Sequence, residues 1–427
     1  TGMAEQGRSL VAALSPHGTA FRDLRNRPDR CACSQVTAPG LIVNTGYDSM
    51  RILVFGNLTP YVPGGAERQV RLLVEGWARQ GHQLTVAGSR LPDTVLEIDG
   101  HRVSLRRVPV WNGLGRAGRS VSYFLSLCRV LFRQRGSCDL VYCRFLADSA
   151  CSVALLKWLG LVRKPLVACP ASAGPGGDAE FLQAMPFTRA LVSMLSSQCD
   201  AINLISPGIA DEIHALNIKS ARWSHIHNGV LQAAAPPAMP AGTPLRLAFV
   251  GGLRPHKGVD LLLEAAGAAR GQGVDLTLDL VGDGPDREAL QAQATCLGLD
   301  DVTHFHGVLD TAAVTERLTN AHVLVLPSRW EGMANVALEA MAAGRPVIVS
   351  RCGGVDRYVD AACGWTIDID DREALTAAIV AAAGLTPDAL AAMGRAAFDL
   401  VRREFSLDAA VNTYLELFRS VLQQDRN

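Results

Sequence analysis

Short apolar segments rich in β-branched residues alternate along this chain with segments in which apolar residues recur at helical spacing. The first of them, RILVFG, directly follows Met50, and further strand-like segments lie at 84–87, 102–108, 139–143, 166–169 and 201–205. Helical patterns separate most of them, as after Gly65, where apolar residues occupy positions 70, 73, 74 and 77. This alternation predicts an α/β domain built on a parallel sheet.

A proline- and alanine-rich connection, LQAAAPPAMPAGTP, separates this pattern from a second one. The second pattern begins with LRLAFV, continues through LDLVGDGPDREAL and ends with helices from about residues 371, 386 and 407. We therefore predict an N-terminal domain over 50–235, a C-terminal domain over 236–405 and a final helix over 406–427. Residues 1–49 lack periodicity and are predicted to form a disordered extension, with Met50 as the natural start of the protein.

The segment from His322 to Ser350 has the pattern strand, loop, helix, strand. Glu331 lies in the loop, and Asn335 and Glu339, four residues apart, share one face of the helix. Ligands of open parallel sheets bind outside the carboxyl ends of the strands, where a helix start offers free N–H groups to an anion. A carboxylate at this place would repel phosphate but can accept hydrogen bonds from sugar hydroxyls, so we predict a ligand site at this edge.

Three glycine-containing turns follow other predicted strands. Pro63-Gly64-Gly65 and Gly282-Asp283-Gly284 each lie between a strand and a helix, where the backbone can approach a ligand closely. The turn Arg254-Pro255-His256-Lys257-Gly258 adds two cations, which suit a diphosphate. Taken singly, such turns are common and need bind nothing, and the chain lacks a GxGxxG dinucleotide fingerprint with its downstream acid.

Together these strings resemble a known family. The spacing Glu331-x7-Glu339 within EGMANVALEAMAAGRPVI resembles the donor-site signature of the retaining glycosyltransferases of family 4, and the turns at 63–65, 254–258 and 282–285 match that family's pattern. The resemblance covers residues 51 to about 422. It implies the GT-B fold, in which two Rossmann-like α/β/α domains face each other across a cleft and the last helix crosses back to the first domain.

The resemblance also implies roles for individual residues, with a nucleotide-diphosphate sugar as the donor. The catalytic set is Arg254, Lys257 and Glu331, whose cations stabilise the leaving diphosphate and whose carboxylate orients the sugar. The implied donor-binding residues are Gly64, Gly65, Gly252, Arg254, Lys257, Gly282, Gly284, Glu331, Gly332, Met333, Ala334, Asn335, Val336 and Glu339. No cofactor and no metal ion are expected, because the cations and a helix start take the place of the metal.

The acceptor side matches the family less well. Many members carry a histidine at a position that aligns with Ala171 or a neighbour, and this chain has none there. We predict acceptor contacts from Glu67, Ser172 and Asp178, with Pro170 to Asp178 as an acceptor-side loop; a mobile surface loop is the alternative.

Composition adds two partner predictions. The formal net charge is zero, so bulk charge indicates neither a nucleic acid nor a membrane as partner. Residues 101–164, however, contain twelve Lys and Arg but only two acids, Asp139 and Asp148. The helix around SVSYFLSLCRVLFRQR would suit binding to a membrane surface or to a phosphorylated acceptor. The alternative is a solvated basic face. No apolar run approaches the ~20 residues that span a bilayer.

The cysteine and histidine patterns bear on the cellular compartment and on the presence of a metal site. The eleven cysteines, apart from Cys31 and Cys33, are scattered singly, which favours reduced thiols and a cytoplasmic protein. If the basic helix binds lipid, the protein would lie peripherally at the inner face of the membrane. The pairs His225/His227 and His304/His306 have the alternation of strands and lack nearby metal ligands, and Asp368-Ile369-Asp370 fits a helix start better than a metal triplet.

The predicted function is metal-independent, retaining transfer of a sugar from a nucleotide sugar to a glycan or lipid-linked acceptor, in bacterial surface polysaccharide or glycolipid synthesis, where this family is abundant. Two alternatives stay open. A nucleotide-sugar epimerase can share the fold, and a non-catalytic nucleotide-sugar-binding protein could keep it. Such a binding protein has little need of both cations and both glutamates.

Overall fold

The structure is a computed structural model that describes residues 49–111, 113 and 115–424. The extension predicted over 1–49, apart from Ser49, lies outside the described residues, as do Cys31 and Cys33 and the predicted end of the last helix at 425–427.

The described chain contains fourteen strands and thirteen α-helices, besides three short π- or 3-10-helical segments. The strands are β1 (Arg51–Phe55), β2 (Gln83–Gly88), β3 (Thr94–Ile98), β4 (His101–Arg107), β5 (Leu140–Arg144), β6 (Leu166–Cys169), β7 (Ala201–Asn203), β8 (Trp223–Ser224), β9 (Leu245–Val250), β10 (Leu276–Val281), β11 (Thr303–Gly307), β12 (Val323–Leu326), β13 (Val347–Ser350) and β14 (Gly364–Ile367). The α-helices are α1 (Gly65–Arg79), α2 (Gly115–Gln134), α3 (Cys151–Trp158), α4 (Asp178–Gln183), α5 (Thr188–Gln198), α6 (Pro207–Ala215), α7 (Val259–Gly271), α8 (Arg287–Cys296), α9 (Thr311–Asn320), α10 (Asn335–Ala342), α11 (Arg372–Ala383), α12 (Pro387–Glu404) and α13 (Leu407–Gln424).

The first domain is built on an eight-stranded sheet with the order β3-β4-β2-β1-β5-β6-β7-β8. Its strands run parallel except β3, which pairs antiparallel with β4. The central strands are buried on both sides, which is why they form the apolar runs that the sequence shows. Strand β3 was not predicted, because it lies at the edge of the sheet and only its last residue, Ile98, is buried.

The second domain is built on a six-stranded, fully parallel sheet with the order β11-β10-β9-β12-β13-β14. This is the strand order of a Rossmann sheet, in which the direction of winding reverses between the first and fourth strands, here β9 and β12. In the first domain the same reversal falls between β1 and β5. The predicted architecture of two Rossmann-like α/β domains is confirmed.

The last helix, α13, returns to the first domain and packs against α1. Tyr414 and Phe418 lie edge-on to Trp77, with ring centroids 5.7 and 5.1 Å away, and all three side chains are buried. The Tyr414 hydroxyl also accepts a hydrogen bond of 2.8 Å from Asn203 Nδ2, at the end of β7. Aromatic burial of this size dominates local packing energy, so the predicted return of the last helix is confirmed.

The predicted linker between the domains packs against the second domain. The guanidinium of Arg345, buried before β13, donates to the carbonyl of Ala238 at 2.8 Å, and the ring of His322 contacts the carbonyl of Pro240 at 3.0 Å. The connection is rich in proline and alanine, yet these contacts fix it to the second domain. The boundary at 235/236 itself stays a prediction.

Within the described part of the chain, no single helix is both long and apolar enough to cross a membrane. Among the described helices, only α11 and α12 taken together, with a bend of 116° between them, reach the required length and composition.

Candidate functional site

The carboxyl ends of the central strands of both sheets open onto one cleft of about 860 Å³. It lies where the winding of each sheet reverses, the position at which open α/β sheets bind ligands. The predicted site residues that line it are Gly64, Gly65, Glu67, Ser172, Gly252, Arg254, Lys257, Gly282, Glu331, Gly332, Met333, Ala334, Asn335, Val336 and Glu339. Two predicted residues, Asp178 and Gly284, are not among its lining.

Two cations of the cleft, Arg254 and Lys257, follow strand β9. Arg254 is exposed and forms no ion pair with any residue of the described chain, whereas Lys257 Nζ lies 2.5 Å from Oε1 of Glu331. Ser328 donates to the same carboxylate oxygen at 3.0 Å. An ammonium has three donor hydrogens, so Lys257 can keep this contact and still donate to a phosphate.

Gly258 sets the path of the chain behind Lys257. Its φ of 66° is left-handed, and a Cβ at this position would lie 2.0 Å from the carbonyl oxygen of Pro327. Only glycine fits such a conformation and such an approach. The loop after β9, which carries the cations, is thereby locked to the loop after β12, which carries Glu331.

Helix α10 begins in the cleft with Asn335. Its Oδ1 accepts a 2.7 Å hydrogen bond from Asn228 Nδ2, and Asn228 Oδ1 accepts one of 3.0 Å from the fully buried Arg144. A Cβ on Gly65 would lie only 2.8 Å from Asn335 Nδ2, so the first turn of α1 also approaches α10 closely. The start of α10 is held by residues of the first domain on two sides.

Glu339, one turn further along α10, contacts the first domain as well. Its Oε1 lies 3.0 Å from Arg68 Nε, and both side chains are largely buried. Burial raises the pKa of the Glu339 carboxyl, and the positive charge of Arg68 acts against this rise. A buried carboxylate needs hydrogen-bond donors, and neighbouring ligand hydroxyls can supply them.

Glu67 lies on the first-domain side of the cleft. Burial raises the pKa of its carboxyl, and the charges of Arg144 and Arg90 partly oppose the shift. The cleft therefore holds carboxylates on both sides: Glu67 on the first domain, and Asp283, Glu331 and Glu339 on the second.

Asp178 and Gly284 shape the neighbouring backbone. The buried Asp178 carboxylate accepts hydrogen bonds from the N–H groups of Leu146, Ala171 and Ser172 at 2.5, 2.8 and 3.1 Å, so it holds the loop that follows β6. A Cβ on Gly284 would lie 2.1 Å from the carbonyl oxygen of Leu253, so this glycine permits two turns to touch. Ala171, the position at or beside which the family resemblance implied a histidine, lines the cleft.

Among the residues of the site that were missed from the sequence, three make polar contacts there: Arg68, Arg144 and Asn228. Arg144 is the last residue of β5, and a cation that ends an otherwise apolar strand, LVYCR, is a usable signal. Arg68 and Asn228 offer no such signal, because their partners Glu339 and Asn335 are distant in sequence and belong to the other domain.

Across residues 49–111, 113 and 115–424, no three His, Cys, Asp or Glu side chains are grouped as a metal site would require. Asp368 and Asp370 pair with Arg351 and Arg329 at 2.7 Å each. Of the histidine pairs, His304 and His306 lie in β11 as predicted. The prediction was wrong for the other pair, at 225 and 227, which follows the two-residue strand β8.

Comparison with known proteins agrees with this geometry. Residues 63–231 match the family model described as Glycosyltransferase Family 4, and residues 244–384 match the one described as Glycosyl transferases group 1. A D-inositol 3-phosphate glycosyltransferase of Saccharomonospora viridis is 31% identical over 242 residues, which are 54% of this chain and 53% of that protein. The chain spans about half the length of the curated relatives it matches.

Solved structures share the fold. The crystal structure of Anabaena HepE in complex with UDP and glucose aligns with a TM-score of 0.67 and 18% identity, over 87% of this chain and all (100%) of that one. Sucrose-phosphate synthase from Thermosynechococcus elongatus aligns with a TM-score of 0.70 and 20% identity, over 88% and 100%. The chain belongs to the glycosyltransferases of family 4, which have the GT-B fold.

Proposed function

We propose that this protein is a retaining glycosyltransferase that moves a sugar from a nucleotide-diphosphate sugar to a glycan or lipid-linked acceptor without a metal ion. The observation that carries the proposal is the pairing of Lys257 with Glu331 in the cleft, next to the exposed Arg254. A sugar diphosphate needs cations at its phosphates and hydrogen-bond acceptors at its hydroxyls, and this cluster offers both where the loops after β9 and β12 meet.

Each group then has a definite task. Arg254 and Lys257 stabilise the negative charge that grows on the diphosphate as the glycosidic bond breaks, together with the N–H groups at the start of α10. Glu331 orients the transferred sugar, and Glu339 accepts hydrogen bonds from the ribose hydroxyls. Because these charges are held in place before the reaction, their stabilisation costs little reorganisation.

For the acceptor, we propose a front-face reaction with retention. The departing phosphate oxygen takes the proton of the acceptor hydroxyl while that hydroxyl attacks the same face of the sugar. Glu67 and Ser172 contact the acceptor, and Asp178 acts indirectly through the loop that it holds. The product keeps the anomeric configuration of the donor, and no sugar becomes attached to the protein.

The donor can be identified by thermal shift against a set of nucleotide sugars. Uridine diphosphate sugars come first, because the HepE structures hold UDP and UDP-glucose. A ligand at ~100 times its dissociation constant raises stability by ~2.7 kcal/mol. We expect the identified donor to release nucleoside diphosphate much faster with an acceptor present, and NMR of the product to show the retained configuration.

Other outcomes would contradict this proposal. Isomerisation of the donor without an acceptor would favour an epimerase, and donor binding without turnover over a broad acceptor set would favour a binding protein. An inverted product, a covalent sugar–protein intermediate seen by mass spectrometry, or activity abolished by a chelator would contradict the mechanism.

We also propose a peripheral membrane location at the cytoplasmic face. One face of α2 exposes Val121, Leu125 and Phe132 at 57%, 59% and 47%, with Arg129 and Arg133 interleaved at helical spacing. Apolar side chains next to arginines on an outward helix face suit the interface of an anionic membrane. No cysteine within the described ranges forms a disulfide, in keeping with a reducing compartment.

Replacing Arg129, Arg133 and Arg135 together by Gln should weaken binding to anionic vesicles roughly 100-fold at low salt, since each basic residue near the surface contributes ~1 kcal/mol. The difference should shrink at high salt because the attraction is screened. Vesicle cosedimentation measures both effects. The matched control replaces three exposed arginines elsewhere, Arg102, Arg395 and Arg402, and should bind like the parent. Equal loss in both triple variants, or no binding by the parent protein, would contradict a membrane face.

A further inference from the structure

A second cavity of about 950 Å³ opens on the first domain, and we call it the arginine pocket. Three arginines line it: Arg90 follows β2, Arg107 ends β4, and Arg119 lies on α2. Strands β2 and β4 run parallel to β1, so the pocket lies at the same edge of the sheet as the donor cleft. Its volume falls within the range of small-molecule sites, ~300–1,000 Å³.

The arginine pocket carries positive charge that its own lining does not balance. Among the described residues that line it there is no Asp or Glu, and none of the three guanidiniums forms an ion pair within the described chain. The nearest carboxylate in the sequence, Asp93, accepts a 2.9 Å hydrogen bond from the backbone N–H of Arg107. Three like charges in one cavity repel each other, and a bound anion relieves that repulsion.

Helix α2 supplies a second, independent observation. It begins at Gly115, which lines the pocket, and its first turn contains no acidic residue. The free N–H groups of a helix start favour an anion. Natural sequences often place Asp or Glu in the first turn of a helix, whereas this chain has no acid there and places Arg119 one turn into the helix. That arrangement is unfavourable for the helix alone and becomes favourable with an anion bound at its start.

The arginine pocket is also linked to the donor cleft. Tyr61 of its lining belongs to the loop between β1 and α1, which continues directly into Gly64 and Gly65 of the cleft. The charge of Arg90 acts on the carboxyl of Glu67, which lines the cleft. A ligand seated in the pocket therefore lies beside the first-domain wall of the cleft, on the side from which an acceptor approaches.

We propose that the arginine pocket binds a phosphate group carried by the acceptor, so that the acceptor of this enzyme is anionic. This inference rests on the proposed glycosyl transfer, since it assigns the chemical class of the molecule that receives the sugar. The phosphate can belong to a soluble sugar phosphate or to a lipid headgroup. Arginine suits either source, because its planar guanidinium binds phosphate oxygens in a bidentate manner.

The test uses the full chain with Arg254→Gln and Lys257→Gln, which removes the two cations of the loop after β9 as a competing phosphate site. Isothermal titration with inorganic phosphate should show binding. Adding Arg90→Gln, Arg107→Gln and Arg119→Gln, which we call the pocket triple, should weaken this binding at least tenfold. The control triple Arg102→Gln, Arg395→Gln and Arg402→Gln changes net charge equally and should leave the affinity within twofold. Equal thermal midpoints establish that all variants are folded.

Two further ligands identify the source of the phosphate. Weaker binding of glucose 6-phosphate by the pocket triple, with glucose as neutral control, assigns a soluble acceptor. Weaker binding of phosphatidylglycerol vesicles, with phosphatidylcholine as control, assigns a lipid headgroup. If the pocket triple and the control triple bind all three phosphate ligands alike, the inference is overturned. Nucleoside diphosphate binding, measured with Arg254 and Lys257 intact, should not respond to the pocket triple, so failure of the proposed donor site appears separately.

Discussion

Replacing Lys257 or Arg254 by alanine is expected to lower turnover ~10²–10³-fold, the usual loss when one preorganised group that stabilises developing charge is removed. The charge on the diphosphate is greater in the transition state than in the bound donor, so the loss should fall on kcat more than on KM. Steady-state kinetics with the identified donor and acceptor measure the two constants. The control is Lys219→Ala, which removes an exposed lysine that does not line the cleft and should change neither kcat nor KM.

Glu339→Ala gives the contrasting result that makes this test specific. The ribose contacts that we propose for Glu339 would be similar in the ground and transition states. The substitution should therefore raise the donor KM roughly 10- to 100-fold, the worth of a hydrogen bond to a charged group, and leave kcat nearly unchanged. If Lys257→Ala instead raised KM alone, Lys257 would serve only donor binding, and the proposed role in the reaction would be wrong.

Gly258→Ala should have the largest effect on stability. The residue is left-handed at φ 66°, and its new methyl group would lie 2.0 Å from the carbonyl oxygen of Pro327, a backbone atom that cannot rotate away. Backbone strain of ~1–3 kcal/mol and overpacking of ~1–3 kcal/mol together predict a loss of roughly 2–6 kcal/mol. The thermal or urea midpoint of the full chain measures it, and activity should fall with it because the cation loop is displaced.

Gly273→Ala is the matched control for the steric part. Gly273 is also left-handed, at φ 89°, but a Cβ there would meet no atom within 4 Å. Its substitution should therefore carry only the cost of the backbone conformation. If both variants lost the same stability, the contact between the loops after β9 and β12 would add nothing to the cost.

The sequence predicted those parts of the fold that depend on local pattern. Buried parallel strands are apolar on both faces and appear as continuous runs, so β1, β9 and β12 were readily found, whereas β3 lacks a buried face and was missed. The cluster of Arg254, Lys257 and Glu331 was predicted because these residues lie in turns directly after such strands.

Contacts across the cleft could not be predicted in this way. Arg68 meets Glu339, and Asn228 meets Asn335, only because the two domains face each other with one relative orientation. No local pattern encodes that orientation. Asp178 was chosen as a polar residue in a glycine-rich loop, yet its carboxylate points into the backbone. It accepts from two N–H groups of that loop and from the N–H of Leu146 after β5.

The return of α13 to the first domain bears on how the chain folds as it leaves the ribosome. Trp77 and Tyr142 are made early, but Tyr414 and Phe418, which cover them, are made only after the whole second domain. During that interval the first domain has its strands but not the helix that seals this aromatic cluster. Exposed aromatic surface on a nascent chain promotes aggregation and recruits chaperones. Synthesis of α13, and not completion of the first sheet, is therefore the step at which this domain closes its core.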